Sequence, residues 1–161
     1  MITRIEMSYR SIRVGGMRRM LCVAVLSLPA LLPTAAHADD KDVVDYRMHV
    51  MNTLNEQSAA MGQILSGVIP EKNTQAHLEA IALAASTALK AFESKVPGGE
   101  SKAEVWTNWA DFSKRMNEFS RQTREAAKAA KEKGLTAAAP GIIDAMSSCK
   151  NCHDLYRQEK K

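Results

Sequence analysis

Two thiols and an imidazole stand together near the C-terminus, as Cys149-Lys150-Asn151-Cys152-His153. Cys-x-x-Cys-His is the pattern at which two thiols bond to the vinyl groups of a haem while the adjacent imidazole ligates its iron. On an α-helix, positions i, i+3 and i+4 share one face. A helix bearing this motif turns both sulfurs and the ring toward one flat macrocycle, with Ile142, Met146 and Tyr156 above and below. The expectation is one covalent c-type haem on Cys149 and Cys152, with His153 as proximal axial ligand.

Three other chemistries use these residue types. A thioredoxin-like dithiol sits near the start of a helix that follows a strand; no strand pattern precedes this motif, which comes late in a helical segment. A structural zinc needs a fourth ligand at similar spacing, and only His49 and His77 remain downstream of residue 38. A plain disulfide explains neither the histidine nor the shared face.

The compartment fits the motif. Residues 1–38 read as a secretory signal peptide. Arg4, Arg10, Arg13, Arg18 and Arg19 form its basic start, Met20 to Leu32 its apolar run, and Ala36-His37-Ala38 a cleavage site, so the exported chain would begin at Asp39. The apolar run, interrupted by Ser27 and Pro29, is too short to span a hydrocarbon core of ~30 Å. Met17 is an alternative start. The whole chain has 22 basic and 18 acidic side chains, of which five and one lie in the leader, leaving seventeen of each. A neutral domain gives no footing for nucleic-acid binding, which needs a basic face. After the leader, no apolar stretch is long enough to cross a membrane. The location expected is the periplasm.

Four helices must position the motif, and residues 39–161 suit one domain. The first is expected over about 42–67, with Arg47, Val50, Met51, Leu54, Met61 and Ile64 near one stripe. The second is expected over about 74–95, with Asn73 as N-cap and Leu78, Ile81, Ala85 and Phe92 inward. Val96-Pro97-Gly98-Gly99 is a turn. Ser101 with Glu104 has the form of a capping box opening a third helix to about Lys133, with Trp106, Trp109, Phe112, Met116 and Phe119 inward. Gly134 stops it. The fourth begins between Thr136 and Ile142 and runs nearly to the end, with Pro140 confined to its first turn. Antiparallel amphipathic helices with short links predict an all-α, up-down-up-down four-helix bundle.

Residues 39–161 resemble the class II c-type cytochromes, the cytochrome c′ group. The ending Cys149-Lys150-Asn151-Cys152-His153-Asp154-Leu155-Tyr156-Arg157 is similar to the family's C-x-x-C-H-x-x-[Tyr/Phe]-Arg. The stretch Tyr46-Arg47-Met48-His49-Val50-Met51 resembles its first-helix Arg-x-x-x-Met pattern, and Val105-Trp106 to Phe112 its aromatic third helix. The resemblance implies a four-helix bundle with the haem motif near its C-terminus. It implies two functions, separated by the far side of the iron. With a methionine as sixth ligand the protein is a single-electron carrier serving redox partner proteins. With five-coordinate iron it binds small gases such as nitric oxide. Neither is an enzyme. Homodimers are common in the family, although no face of this sequence fixes one.

Met51, four residues after Arg47, matches the methionine position and is the expected distal ligand; core filler is its ordinary alternative. His49 lies two residues earlier, about 200° around the helix, and is expected to face solvent, as is His77. Met48 is the second thioether. Arg47 and Arg157 are candidates for the haem propionates, against a solvated-surface alternative. Trp106, Trp109, Phe112 and Tyr156 either wall the pocket or pack the core.

Overall fold

The computed structural model describes residues 38–159; the expected leader therefore lies outside the described residues, apart from Ala38. The described chain is all-α, a four-helix bundle. Helix α1 runs Asp40–Leu65, α2 Thr74–Ala88, α3 is the single turn Glu104–Thr107, and α4 runs Trp109–Tyr156. A 3-10 turn, Glu71–Asn73, leads into α2, and another, Leu89–Phe92, continues it.

The four long rods of the bundle are α1, α2 and the two limbs of α4, residues 109–133 and 135–156. The limbs divide at Gly134, whose φ of 79° and ψ of 173° are non-helical. The second limb returns antiparallel to the first. Phe112 meets Tyr156, with centroids 5.2 Å apart, while Phe119 and Thr123 line the same small apolar pocket as Ile142 and Met146.

Each helix buries the stripe its spacing predicts. On α1 the buried residues are Arg47, Val50, Leu54, Met61 and Ile64. On α2, Leu78, Ile81, Ala85 and Ala88 are buried, and the alanines let α1 and α4 come close. The first limb contributes Phe112, Met116 and Thr123; the second contributes Ala138, Ile142, Ala145 and Tyr156.

Four helix starts differ from the sequence reading. Asp39, not a later residue, caps α1: its carboxylate accepts from the Asp42 amide at 2.8 Å. Asn73 gives α2 no side-chain cap, because it belongs to the preceding 3-10 turn. The Ser101–Glu104 capping box does not form. Ser101 instead makes an isolated antiparallel bridge with Arg157, and the helical turn Glu104–Thr107 is separated from α4 by Asn108, at φ −118° and ψ 45°. The fourth rod also starts directly after Gly134, which places Pro140 in its second turn. Pro140 and Thr136 are exposed, so water can satisfy the carbonyl that loses its donor.

Gly134 bears the reversal that brings the haem motif back against the bundle. Its φ/ψ region is essentially restricted to glycine, and an added Cβ would meet nothing within 4 Å. Gly134→Ala should therefore destabilise through backbone strain alone, by about 1–3 kcal/mol. Urea unfolding measures this, and an unchanged midpoint would contradict the role given to Gly134.

Candidate functional site

Cys149, Cys152 and His153 occupy the last turns of α4, each half-buried, and neither thiol is in a disulfide. The Cys149 thiol donates to the Ala145 carbonyl, with sulfur and oxygen 3.8 Å apart. Cys152 packs against the hydrophobic core together with Met146 and Met51. Burial pushes both thiols above their ordinary pKa. Burial, then the Arg157 guanidinium, holds His153 below its own. This lowering favours the neutral ring, the form that can offer a lone pair to a metal. The three side chains share a face but do not converge: no group of three His, Cys, Asp or Glu gathers as a metal cluster among the described residues.

The end of α4 is anchored on two sides. On the first, Tyr156 is buried and packs edge-on to Phe112, which also meets Phe92 at 4.9 Å. Its hydroxyl donates to Asp111 Oδ2 at 2.6 Å and accepts from Asn108 Nδ2 at 3.2 Å. Arg115 Nε donates to the same Asp111 oxygen at 2.5 Å. On the second side, residues 100–102 are laced to the chain end. The Lys102 amide donates to the Tyr156 carbonyl at 2.9 Å and the Gln158 amide to the Glu100 carbonyl at 2.8 Å. Lys102 Nζ donates to the Asp154 carbonyl at 3.0 Å.

Arg157 lies inside this lacing. Its Nε pairs with Glu100 Oε2 at 3.2 Å, and its Nη1 is 3.4 Å from His153 Nδ1. Arg47 sits at the other end of the same loop, 2% exposed. Its Nη1 donates to the Val96 carbonyl at 3.0 Å and its Nη2 to that of Gly98 at 3.1 Å. The guanidinium lies 5.0 Å from the Phe92 ring centre and 5.3 Å from that of Trp106, whose Nε1 donates to the Phe92 carbonyl. Gly98 and Gly99, both at positive φ, let the loop close over Val44; a Cβ on either would stand 3.1–3.2 Å from a Val44 methyl. Arg47 is thus neither a surface arginine nor bound to a carboxylate among the described residues. Burial alone lowers its pKa. A buried cation needs a counter-charge, and the two carbonyls and two rings supply only partial negative charge.

The remaining candidates separate cleanly. Met51 is half-buried against the core. Met48 is 40% exposed beside Gly99, and His49 is exposed. His77 Nδ1 lies 2.8 Å from Gln57 Oε1, joining α2 to α1 rather than facing water freely. Trp106 holds Arg47, and Trp109 packs on Phe112 at 5.7 Å. Four residues of the site carry no mark in the sequence reading: Glu100, Asn108, Asp111 and Arg115. The i,i+4 spacing of Asp111 and Arg115 was a readable signal. Glu100 follows a glycine turn, and its partner is 57 residues away, so no local pattern points to it.

A family model described as Cytochrome C′ matches residues 42–157. This chain belongs to the cytochrome c′ family. It is similar to a cytochrome c′ of Alcaligenes xylosoxydans xylosoxydans, 26% identical over 125 residues, covering 76% of this chain and 98% of the relative. Among solved structures, ferric cytochrome c prime from Alcaligenes xylosoxidans is similar at 25% identity and TM-score 0.71, covering 78% of this chain and all of that one. A nitric oxide complex of a mutant of that protein matches at 25% identity and TM-score 0.71, covering 77% of this chain and all of that one. Cytochrome c prime from Shewanella frigidimarina shares the fold at 23% identity and TM-score 0.71, covering 77% of this chain and all of that one. The family binds haem c covalently, and Cys149 and Cys152 supply its motif. The residues fit such a group: two thiols outside any disulfide, an imidazole on their face, and a buried cation without a carboxylate among the described residues.

The anchoring of α4 by Tyr156 has a pH signature. Hydrogen bonds from Arg115 and Tyr156 hold the Asp111 carboxyl below its usual range. A depressed carboxyl adds stability above its unfolded pKa, and that stability is lost as pH falls through the folded value. Tyr156→Phe should lower the urea midpoint near pH 7, and the gap to the parent should narrow as pH falls below about 4. Equal midpoints at neutral pH would contradict this anchoring.

Proposed function

We propose that the protein is a periplasmic single-electron carrier, with one haem attached through Cys149 and Cys152 and with His153 and Met51 as its axial ligands. The observation that carries the Met51 assignment is the inward packing of its side chain. Of the three donor side chains at 48–51, Met51 alone packs against the core, while Met48 and His49 are exposed. It lies one helical turn after the buried Arg47, on the same face of α1. Bound at this site, the haem supplies a reversible one-electron iron couple, and histidine with methionine ligation raises its potential.

The chain's own residues hold the group and exclude water. The His153 ring presents its remaining nitrogen, because Nδ1 faces Arg157. Arg47, whose charge no described carboxylate balances, is the better propionate partner of the two arginines; Arg157 already has Glu100. Tyr156 and Trp106 serve as supports: one fixes the end of α4 and the other fixes Arg47. Electrons pass to and from redox partner proteins, and pairing of two copies is consistent with the family. No helix among the described residues is long and apolar enough to cross a membrane. The role is electron transfer rather than enzymatic turnover.

One observation favours a second reading. A related structure is a nitric oxide complex, so a five-coordinate iron that binds small gases is the alternative. Absorption spectra of the oxidised and reduced protein, with and without carbon monoxide, separate the two. The carrier reading expects low-spin spectra indifferent to carbon monoxide, and a change to high-spin in Met51→Ala. High-spin spectra that shift readily with carbon monoxide would replace it with the gas-binding reading. An unchanged low-spin spectrum in Met51→Ala would remove Met51 from the iron.

A further inference from the structure

The contact between Arg157 and His153 contains a conflict that haem attachment must resolve. Arginine has only donors. Its Nη1, 3.4 Å from His153 Nδ1, can therefore bond only to a ring whose Nδ1 bears no proton. Once the iron takes the other nitrogen, a neutral ring must carry its proton on Nδ1. Two donors then face each other, and Nδ1–H needs an acceptor. Metal-bound histidines nearly always donate that proton to a carboxylate, a carbonyl or water.

Two carboxylates act on His153. The Asp154 carboxylate is already held by Lys150 Nζ at 2.6 Å, on the exposed side of α4. The Glu100 carboxylate lies on the same guanidinium as His153, 3.2 Å from Arg157 Nε. Its backbone is fixed there by the Gln158 amide at 2.8 Å and by the Ser101–Arg157 bridge. These bonds use main-chain atoms, so they place Glu100 whatever its side chain does.

We infer that Glu100 is a positioning residue for the haem iron: in the haem-loaded protein its carboxylate accepts the His153 Nδ1–H, directly or through one water. Arg157 then keeps Glu100 in place rather than bonding to the ring. This orients the imidazole and makes it a stronger donor to iron, which favours the ferric state. The inference rests on His153 as proximal ligand but is independent of what occupies the other side.

The test uses the haem-loaded protein, with covalent haem verified first; absence of covalent haem would defeat the site reading itself. Glu100→Gln, Glu100→Asp and the charge-matched Glu104→Gln are compared with the parent. Glu104 is an exposed carboxylate on α3. The measurements are the reduction potential and the proton NMR signal of His153 Nδ1–H. Glu100→Gln should raise the potential, move the Nδ1–H signal upfield and speed its exchange with solvent. Glu100→Asp should fall between Glu100→Gln and the parent, and Glu104→Gln should match the parent in both readouts. A potential shift with no change at Nδ1–H would overturn the inference, since remote charge alone would produce it. So would a Glu100→Gln protein indistinguishable from Glu104→Gln.

Discussion

Two sulfurs and a ring nitrogen can serve one flat macrocycle only if they point the same way and stay there. Spacing on a helix supplies the direction, since Cys149, Cys152 and His153 fall within about 100° of one another around the axis. It does not supply rigidity, because these residues lie in the last turns of a helix, where ends fray. The rest of the structure answers that weakness. The reversal at Gly134 lays the second limb of α4 on the first, and Tyr156 locks the end through Phe112, Asn108 and Asp111. The chain beyond is tied down by residues 100–102.

The loop between α2 and α3 is therefore more than a link. Arg47 holds its start through the Val96 and Gly98 carbonyls, and Glu100 holds its other end against Arg157. One short segment connects a buried charge on α1, one turn before Met51, to the residue beside His153. At the Arg47 end the ties are two hydrogen bonds from a buried guanidinium, and removing their partner leaves a buried group unsatisfied. Both sides of the proposed iron site are thus referred to the same loop.

Much of this was legible in the sequence. The motif, the four apolar stripes and the stop at Gly134 are local patterns, and helices follow local patterns closely. The inward direction of Met51 and the exposure of His49 follow from angle alone. What was not legible depends on distant partners. Ser101 and Glu104 have the form of a capping box, but Ser101 pairs with Arg157, and the tertiary bridge overrides the local preference. Arg47 falls on the inner stripe of α1, but its enclosure by Phe92 and Trp106 comes from distant partners. Glu100 has no periodicity to betray it. Sequence spacing revealed the donors and left their supports hidden.

Intact mass with peptide mapping shows whether haem is covalently bound at Cys149 and Cys152. The protein would be exported in cells able to attach haem, purified, denatured and weighed. A chain heavier by one haem after denaturation is expected, with the added mass on the peptide containing residues 149–153. Unmodified thiols on that peptide, or a Cys149–Cys152 disulfide, would contradict it.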